Sequence, residues 1–425
     1  MYLFLLIIGV VFVLILLLKI DNGLNTSYIF RSFLLFSFII WYILPIFLSL
    51  IGNWDVIENI VNIPLDKYII LATFEVWFYA IILLLFNLSK KYHFKQSYIF
   101  VDNLSVNILF IPLMIVFTIG MLVYNIIYNF NYVEVNDIEN AQGSFYFILN
   151  TLNLYILSFL WINVIVKSNK KYQVIFIIII ITNIIYYILS GSRIYLVAFI
   201  WLFYFINREK IKLNWLKYSI PALALVIGSL VLLPFLATMR VGDDSLEFDN
   251  DNNISELVLY QLNTKTNSIG YSSVLLEDDG IGFAGINPYL GSLMKFFPRA
   301  FWKDKPTPTS YNGDVSGTPS RRIPFLLTGT NGSYNVGVSA GIVSLWQGYF
   351  FVVLAILLNV IFLRIIASTL SHDSLLIKAI GLMLFYFPQL IMTPSYGDNI
   401  IQKLFDVGFI LFILLFSGAL KIQRL

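Results

Sequence analysis

Apolar runs long enough to cross a bilayer recur along this chain, and they constrain its fold more tightly than any other feature. A helix spanning the hydrocarbon core needs about 20 residues, with a range of about 17 to 25. Lipid offers no partner to a backbone N–H or C=O, so each segment must satisfy its own. Such runs cover Tyr2 to Leu18, Phe33 to Ile51, Tyr68 to Leu88, Val106 to Ile127, Phe145 to Val166 and Tyr172 to Leu189. They continue at Ile194 to Ile206, Leu216 to Leu236, Val336 to Leu363, Leu375 to Met392 and Leu404 to Leu420. The seventh run is short, which suits a tilted helix or a thinned bilayer. The ninth is long and is expected to project beyond the bilayer or to bend near Gly341. The fold expected is an all-α polytopic membrane protein of about eleven spans, or twelve if one escapes this count.

Composition closes off a soluble alternative. Hydrophobic residues make up 59% of the chain and charged residues 12%, against about 45 to 50% and about 25% in soluble domains. With 27 basic and 24 acidic residues in 425, several soluble domains could not be coated, so lipid is the expected solvent. A net charge of +3 gives no reason to expect a nucleic-acid partner. The absence of cysteine excludes disulfides and thiolate chemistry. The run Tyr2 to Leu18 lacks a basic leader and a small-residue cleavage site, and is read as a retained first helix.

Orientation follows from the basic residues, which concentrate in short cytoplasmic loops. Lys19 and Arg31, then Lys90, Lys91 and Lys95, then Lys167, Lys170 and Lys171 mark alternate connections. Arg208, Lys210, Lys212 and Lys217, then Arg364 and Lys378, and last Lys421 and Arg424 continue the series. The intervening segments carry Asp55, Glu58 and Asp66, or Glu134, Asp137 and Glu139. Lys67, Arg193 and Lys403 depart from the alternation. The N-terminus is therefore predicted outside and the C-terminus in the cytoplasm. Residues 1–236 hold spans one to eight, 237–335 form one large external loop, and 336–425 hold the last three spans.

Within that loop, Asp243 to Asn253 is acidic and polar, a composition that resists packing. Ile254 to Leu262 is apolar enough for a short helix. Asn287 as N-cap, Pro288 at the first helical position, and Leu290, Leu293, Met294 and Phe297 on one face predict an amphipathic helix lying in the membrane interface. Prolines 306, 308 and 319, with nearby glycines, then impose an irregular path.

Several residues have chemistry to offer on the external side. Ser190-Gly191-Ser192-Arg193 turns outside the bilayer and opens the seventh span, where a helix N-terminus and a guanidinium together favour an anion. The plainer reading is an arginine reaching headgroup phosphates. Arg240, just past the eighth span, admits the same pair of readings. Phe297-Pro298-Arg299-Ala300-Phe301-Trp302-Lys303-Asp304-Lys305-Pro306 joins cations to aromatics. Phe301 and Trp302 suit a sugar ring or the lipid interface, while Arg299 and Lys305 suit phosphate oxygens. Arg321 and Arg322 add a basic pair whose plainer reading is a solvated charge.

Candidate general bases on this side are Glu277, Asp278 and Asp279, with Asp137 and Glu139 between the fourth and fifth spans. Asp249 and Asp251 form a D-x-D, but Ile254 stands where a calcium loop needs glycine. Glu75 lies about a third of the way into the third span, where a charge is costly without a partner. It is expected either to meet a cation in the external cavity or to be protonated. His93 and His372 are the only histidines and both fall in predicted cytoplasmic loops. No metal site or histidine base is therefore expected outside.

Gly191-Ser192-Arg193 at the start of a helix, Arg240 beyond the next, and Phe297-Pro298-Arg299 through Lys305-Pro306 in a late external loop give a pattern that resembles the Wzy-type oligosaccharide repeat-unit polymerases, which build O-antigen and capsule. The resemblance extends over nearly the whole chain in its layout of helices. It implies a metal-independent GT-C glycosyltransferase of the bacterial cytoplasmic membrane, without cofactor. Such an enzyme moves a growing glycan from undecaprenyl pyrophosphate onto the non-reducing end of a new lipid-linked unit. Arg193, Arg240 and Arg299, with Lys305 in support, would hold the donor pyrophosphate. Glu277, Asp278 or Asp279 would activate the acceptor, and Phe301, Trp302, Arg321 and Arg322 would line the substrate path. A chain-length regulator and a flippase are the partners implied. Members of this family often have twelve helices with both ends cytoplasmic, so eleven spans or a re-entrant loop segment would mark a departure. The rival readings are an O-antigen ligase, which usually relies on an external histidine, and a lipid-linked oligosaccharide flippase, for which internal repeats would be expected.

Because the chain has no native cysteine, one introduced thiol reports topology cleanly. Asn312→Cys is expected to react with a membrane-impermeant maleimide in intact spheroplasts. Labelling only after permeabilisation would reverse the orientation.

Overall fold

In the computed structural model, the residues described are 1–20, 37–51, 63–89, 98–102, 107–129, 170–189, 267–277, 338–372 and 420–424, with isolated positions elsewhere. They are mostly helical, and they divide into two compact units. In chain order, the first unit contains α1 (Tyr2–Leu18), a π-helical turn (Ile39–Ile43) running into α2 (Leu44–Ile51), and α3 (Leu65–Ser89). The second contains β1 (Tyr98–Asp102), α4 (Asn107–Asn129) and α5 (Lys170–Leu189). The first unit resumes with α6 (Ser268–Ser273), a 3-10 turn (Val274–Glu277), α7 (Ala340–Gln347) and α8 (Tyr349–Ser371), and β2 (Leu420–Arg424) closes the second.

Two of these helices, Leu65–Ser89 and Tyr349–Leu370, are long and apolar enough to cross a membrane. Their outward side chains are apolar: α8 turns Tyr349, Phe350, Val353, Leu357 and Ile361 away from the body. The outer face of α1 carries Phe4, Ile8, Val11, Ile15 and Leu18. A soluble helix at the surface would carry charge on that face.

α1 and α3 lie against one another and run in the same direction. Thr73 donates to the Tyr2 carbonyl at 3.3 Å, Trp77 Nε1 to Leu5 at 3.2 Å and Asn87 Nδ2 to Leu16 at 3.2 Å. Position rises on both helices together, so the pairing is parallel. Gly9 permits the close approach, since a Cβ there would stand 2.9 Å from Val76 Cγ1. Phe12 and Trp77 close the seam, with ring centroids 5.9 Å apart.

α8 runs in the same direction as α3 as well. Glu75, toward the start of α3, bonds to α7, whereas Phe86 and Ser89 at its end meet Arg364 near the end of α8. Arg364 Nε donates to Ser89 Oγ at 2.7 Å and Nη2 to the Phe86 carbonyl at 3.1 Å, with the guanidinium 5.0 Å from the centroid of the Phe86 ring. The carbonyls of a last helical turn have no partner within the helix. A cation placed there satisfies one of them and complements the negative pole of the helix dipole.

Three expectations change. The ninth run bends at Gly348, where φ is +128° and the chain breaks between α7 and α8; Gly341 lies inside α7 and has another use. The fold is not wholly helical: β1 pairs antiparallel with β2, Tyr98 opposite Arg424 and Asp102 opposite Leu420. The last run therefore stops short of Leu420, with a turn at Gly418, φ +70°, because strand pairing satisfies the backbone of Leu420–Arg424 where a helix would have ended. The short helix expected at 254–262 and the amphipathic helix expected at 287–297 lie outside the described residues.

The backbone at Gly348 occupies a region that side-chain-bearing residues enter at a cost of about 1–3 kcal/mol. Gly348→Ala is expected to lower the free energy of unfolding in detergent by that amount, read as a lower thermal midpoint. An unchanged midpoint would show that the break tolerates a Cβ.

Candidate functional site

The chemistry of the described residues gathers where α3, α6 and α7 meet. α7 begins inside the first unit, and its early N–H groups need acceptors. Ser339 stands at the N-cap with extended backbone, φ −91° and ψ 124°, but its side chain makes no capping bond. The acceptor comes instead from α3: Glu75 Oε1 takes the Ile342 N–H at 2.6 Å. The Gly341 amide and the Ser339 hydroxyl are the carboxylate's next polar neighbours. Gly341 admits it, since a Cβ at that position would lie 2.9 Å from Oε1.

Glu75 is 0% exposed, and this geometry answers the question its sequence position raised. Among the described residues its partner is no cation but the positive pole of a helix, which favours an anion by roughly 0.3–1 kcal/mol at a surface and about 2 kcal/mol when partly buried. The sequence did place an N-cap residue, Ser339, directly before the apolar Ala340-Gly341-Ile342-Val343, the signal from which the start of α7 could have been read.

α6 comes from within the large loop and is buried along its whole length. Its small side chains let it pack against α3 and α7. Asn267 caps it, accepting the Gly270 N–H on Oδ1 at 3.0 Å. Ser272 Oγ then accepts the Ser339 N–H at 2.7 Å. Three residues before the amide held by Glu75, α6 thus satisfies another donor at the head of α7.

Aromatic residues complete the surroundings. Tyr79 follows Glu75 by one helical turn on α3, and its ring stacks on Tyr42 at 5.6 Å between centroids and 9° between planes. Phe38 lies against Tyr79 at 5.5 Å. The Tyr42 hydroxyl is within electrostatic reach of Glu75. Glu75 Oε2, the hydroxyls of Tyr42, Tyr79 and Ser268, and Asn267 Nδ2 are buried without a hydrogen-bond partner among the described residues. Each such atom costs about 1–3 kcal/mol if it stays unpartnered.

Of the residues singled out by sequence, Arg193, Arg240, Asp278, Asp279, Arg299, Phe301, Trp302, Lys305, Arg321 and Arg322 lie outside the described residues. Glu277 ends the 3-10 turn that follows α6. Sequence reasoning flagged Glu75 but missed Asn267, Ser272 and Ser339, whose small polar side chains look like loop composition until their burial is seen. No family model, curated protein or solved structure matches this chain.

Ser272→Ala would leave the Ser339 N–H buried without its acceptor. A loss of about 1–3 kcal/mol is expected in thermal or denaturant unfolding, and a change below the error of the measurement would mean that α6 is not held in this way.

Proposed function

We propose that this chain is a membrane-embedded glycosyltransferase that joins undecaprenyl-pyrophosphate-linked oligosaccharide units into a polymer outside the cytoplasmic membrane. The observation that carries this reading is the seating of α6. A segment of the large loop is built into the helical body beside a buried carboxylate, as suits a loop that covers a reaction site and ill suits a free appendage. The arginines expected to hold pyrophosphate, Arg193, Arg240 and Arg299, with Lys305, are read from the sequence. Breaking the anomeric bond leaves charge on the departing pyrophosphate, and guanidinium groups aimed at that charge lower the barrier.

The orientation proposed is N-terminus outside and C-terminus cytoplasmic. The basic residues of the short connections put the N-terminus outside, and the shared direction of α1, α3 and α8, the first, third and ninth spans of the sequence count, fits the alternation without fixing which side is which. Odd-numbered spans must run alike if no crossing has been missed between them. β1 follows the third span and β2 follows the last, so their pairing agrees with the same alternation. A translocator of the same lipid-linked substrate is the competing reading, and the observation favouring it is the buried Glu75, since ionisable groups at membrane depth commonly line transport paths.

Purified protein in liposomes, supplied with lipid-linked repeat units, separates the two. Ladders of longer glycan are expected from the wild type, and translocation without bond formation would reject the polymerase. Arg193→Ala is expected to reduce ladder formation by about 10² to 10³, the scale of removing one donor to developing charge. Undiminished ladders at equal protein level would remove Arg193 from the site.

A further inference from the structure

The carboxylate of Glu75 divides its work between its two oxygens. Oε1 is committed to the Ile342 N–H and so fixes the group in place. Oε2 is buried and makes no hydrogen bond among the described residues; the Ser339 hydroxyl, likewise without one, is a near neighbour of the carboxylate. The hydroxyls of Tyr42, within electrostatic reach of Glu75, and of Tyr79, one helical turn along α3, are also unpartnered there. These groups select the class of guest. An anion is repelled by the carboxylate. A cation is disfavoured because the positive pole of α7 already serves that charge. A neutral hydroxyl fits on both counts: it donates to Oε2 and accepts from a phenol O–H. The stacked rings of Tyr42 and Tyr79 supply the flat apolar wall on which a sugar packs.

We propose that Glu75 is the proton acceptor for the sugar hydroxyl that attacks the anomeric carbon, with Tyr42 and Tyr79 orienting that hydroxyl. This rests on the glycosyltransferase reading and assigns to Glu75 the role that the sequence left open among Glu277, Asp278 and Asp279. In the step, the acceptor O–H bond breaks and its proton passes to Oε2. The freed oxygen forms the new bond to the anomeric carbon. The bond from that carbon to the pyrophosphate oxygen breaks, and the electron pair leaves with the pyrophosphate. Since Glu75 is 0% exposed, this role requires the body to open for the acceptor to enter.

Glu75→Gln tests this directly, because the amide oxygen still accepts the Ile342 N–H while the proton acceptor is gone. In the liposome assay kcat is expected to fall at least about a hundredfold, the lower range for a lost general base, with KM for the lipid-linked units unchanged and the thermal midpoint lowered only by the lost charge at the pole of α7. A role confined to capping α7 would leave kcat intact, and wild-type kcat in the Gln variant overturns the assignment while leaving the polymerase reading standing. A wild type that makes no polymer overturns both. Should the Gln variant fail to accumulate, Tyr42→Phe combined with Tyr79→Phe interrogates the same subsite by removing only the two hydroxyls. A drop of about tenfold or more in kcat at an unchanged thermal midpoint supports the proposal, and unchanged turnover rejects it.

Discussion

A helix that begins inside an apolar body must find acceptors for its first N–H groups, and α7 finds one in the carboxylate of Glu75. That contact fixes much else in the first unit. It sets α7 against α3, requires glycine at position 341, and leaves Ser339 free to offer its backbone N–H to Ser272. Arg364 supplies the converse at the far end of α3, where a cation meets carbonyls of the last turn. Charge is thus used twice, each time at the helix pole of opposite sign. Apolar packing alone specifies register poorly where lipid and protein interior are equally apolar, and directed polar contacts restore that specificity.

The apolar runs made the described helices legible in advance. The first run coincides with α1, and the third, fourth and sixth differ from α3, α4 and α5 by a few residues at their ends. Periodicity could not say where a long run breaks. Gly341 and Gly348 look alike in sequence, yet one makes room for a neighbour's side chain and the other takes a backbone angle that only glycine tolerates well. The β1–β2 pairing escaped notice because each strand is short and flanks a much stronger apolar signal, and partners so distant in sequence leave no local trace. Glu75 was conspicuous as a charge in an apolar run, but its partner is a backbone amide, and no residue type announces that.

The sequence read the large loop as external to the helices, with a re-entrant piece as an exception to be entertained. α6 is a piece of that stretch packed against α3 and α7. A segment in which four of six residues are serine or glycine, capped by Asn267, can approach helices closely, and it hydrogen-bonds through its own cap and with the Ser339 amide, as burial in an apolar body demands. α6 belongs to the same unit as α1, α3, α7 and α8.

Peptide-resolved hydrogen exchange of the full chain in lipid nanodiscs tests the seating of α6 most directly. Amides across 267–277 are expected to exchange as slowly as those of α3, and to be released when Glu75→Ala removes the cap of α7. Exchange of 267–277 at the rate of an unstructured peptide in the wild type would contradict the structure on which the site is built.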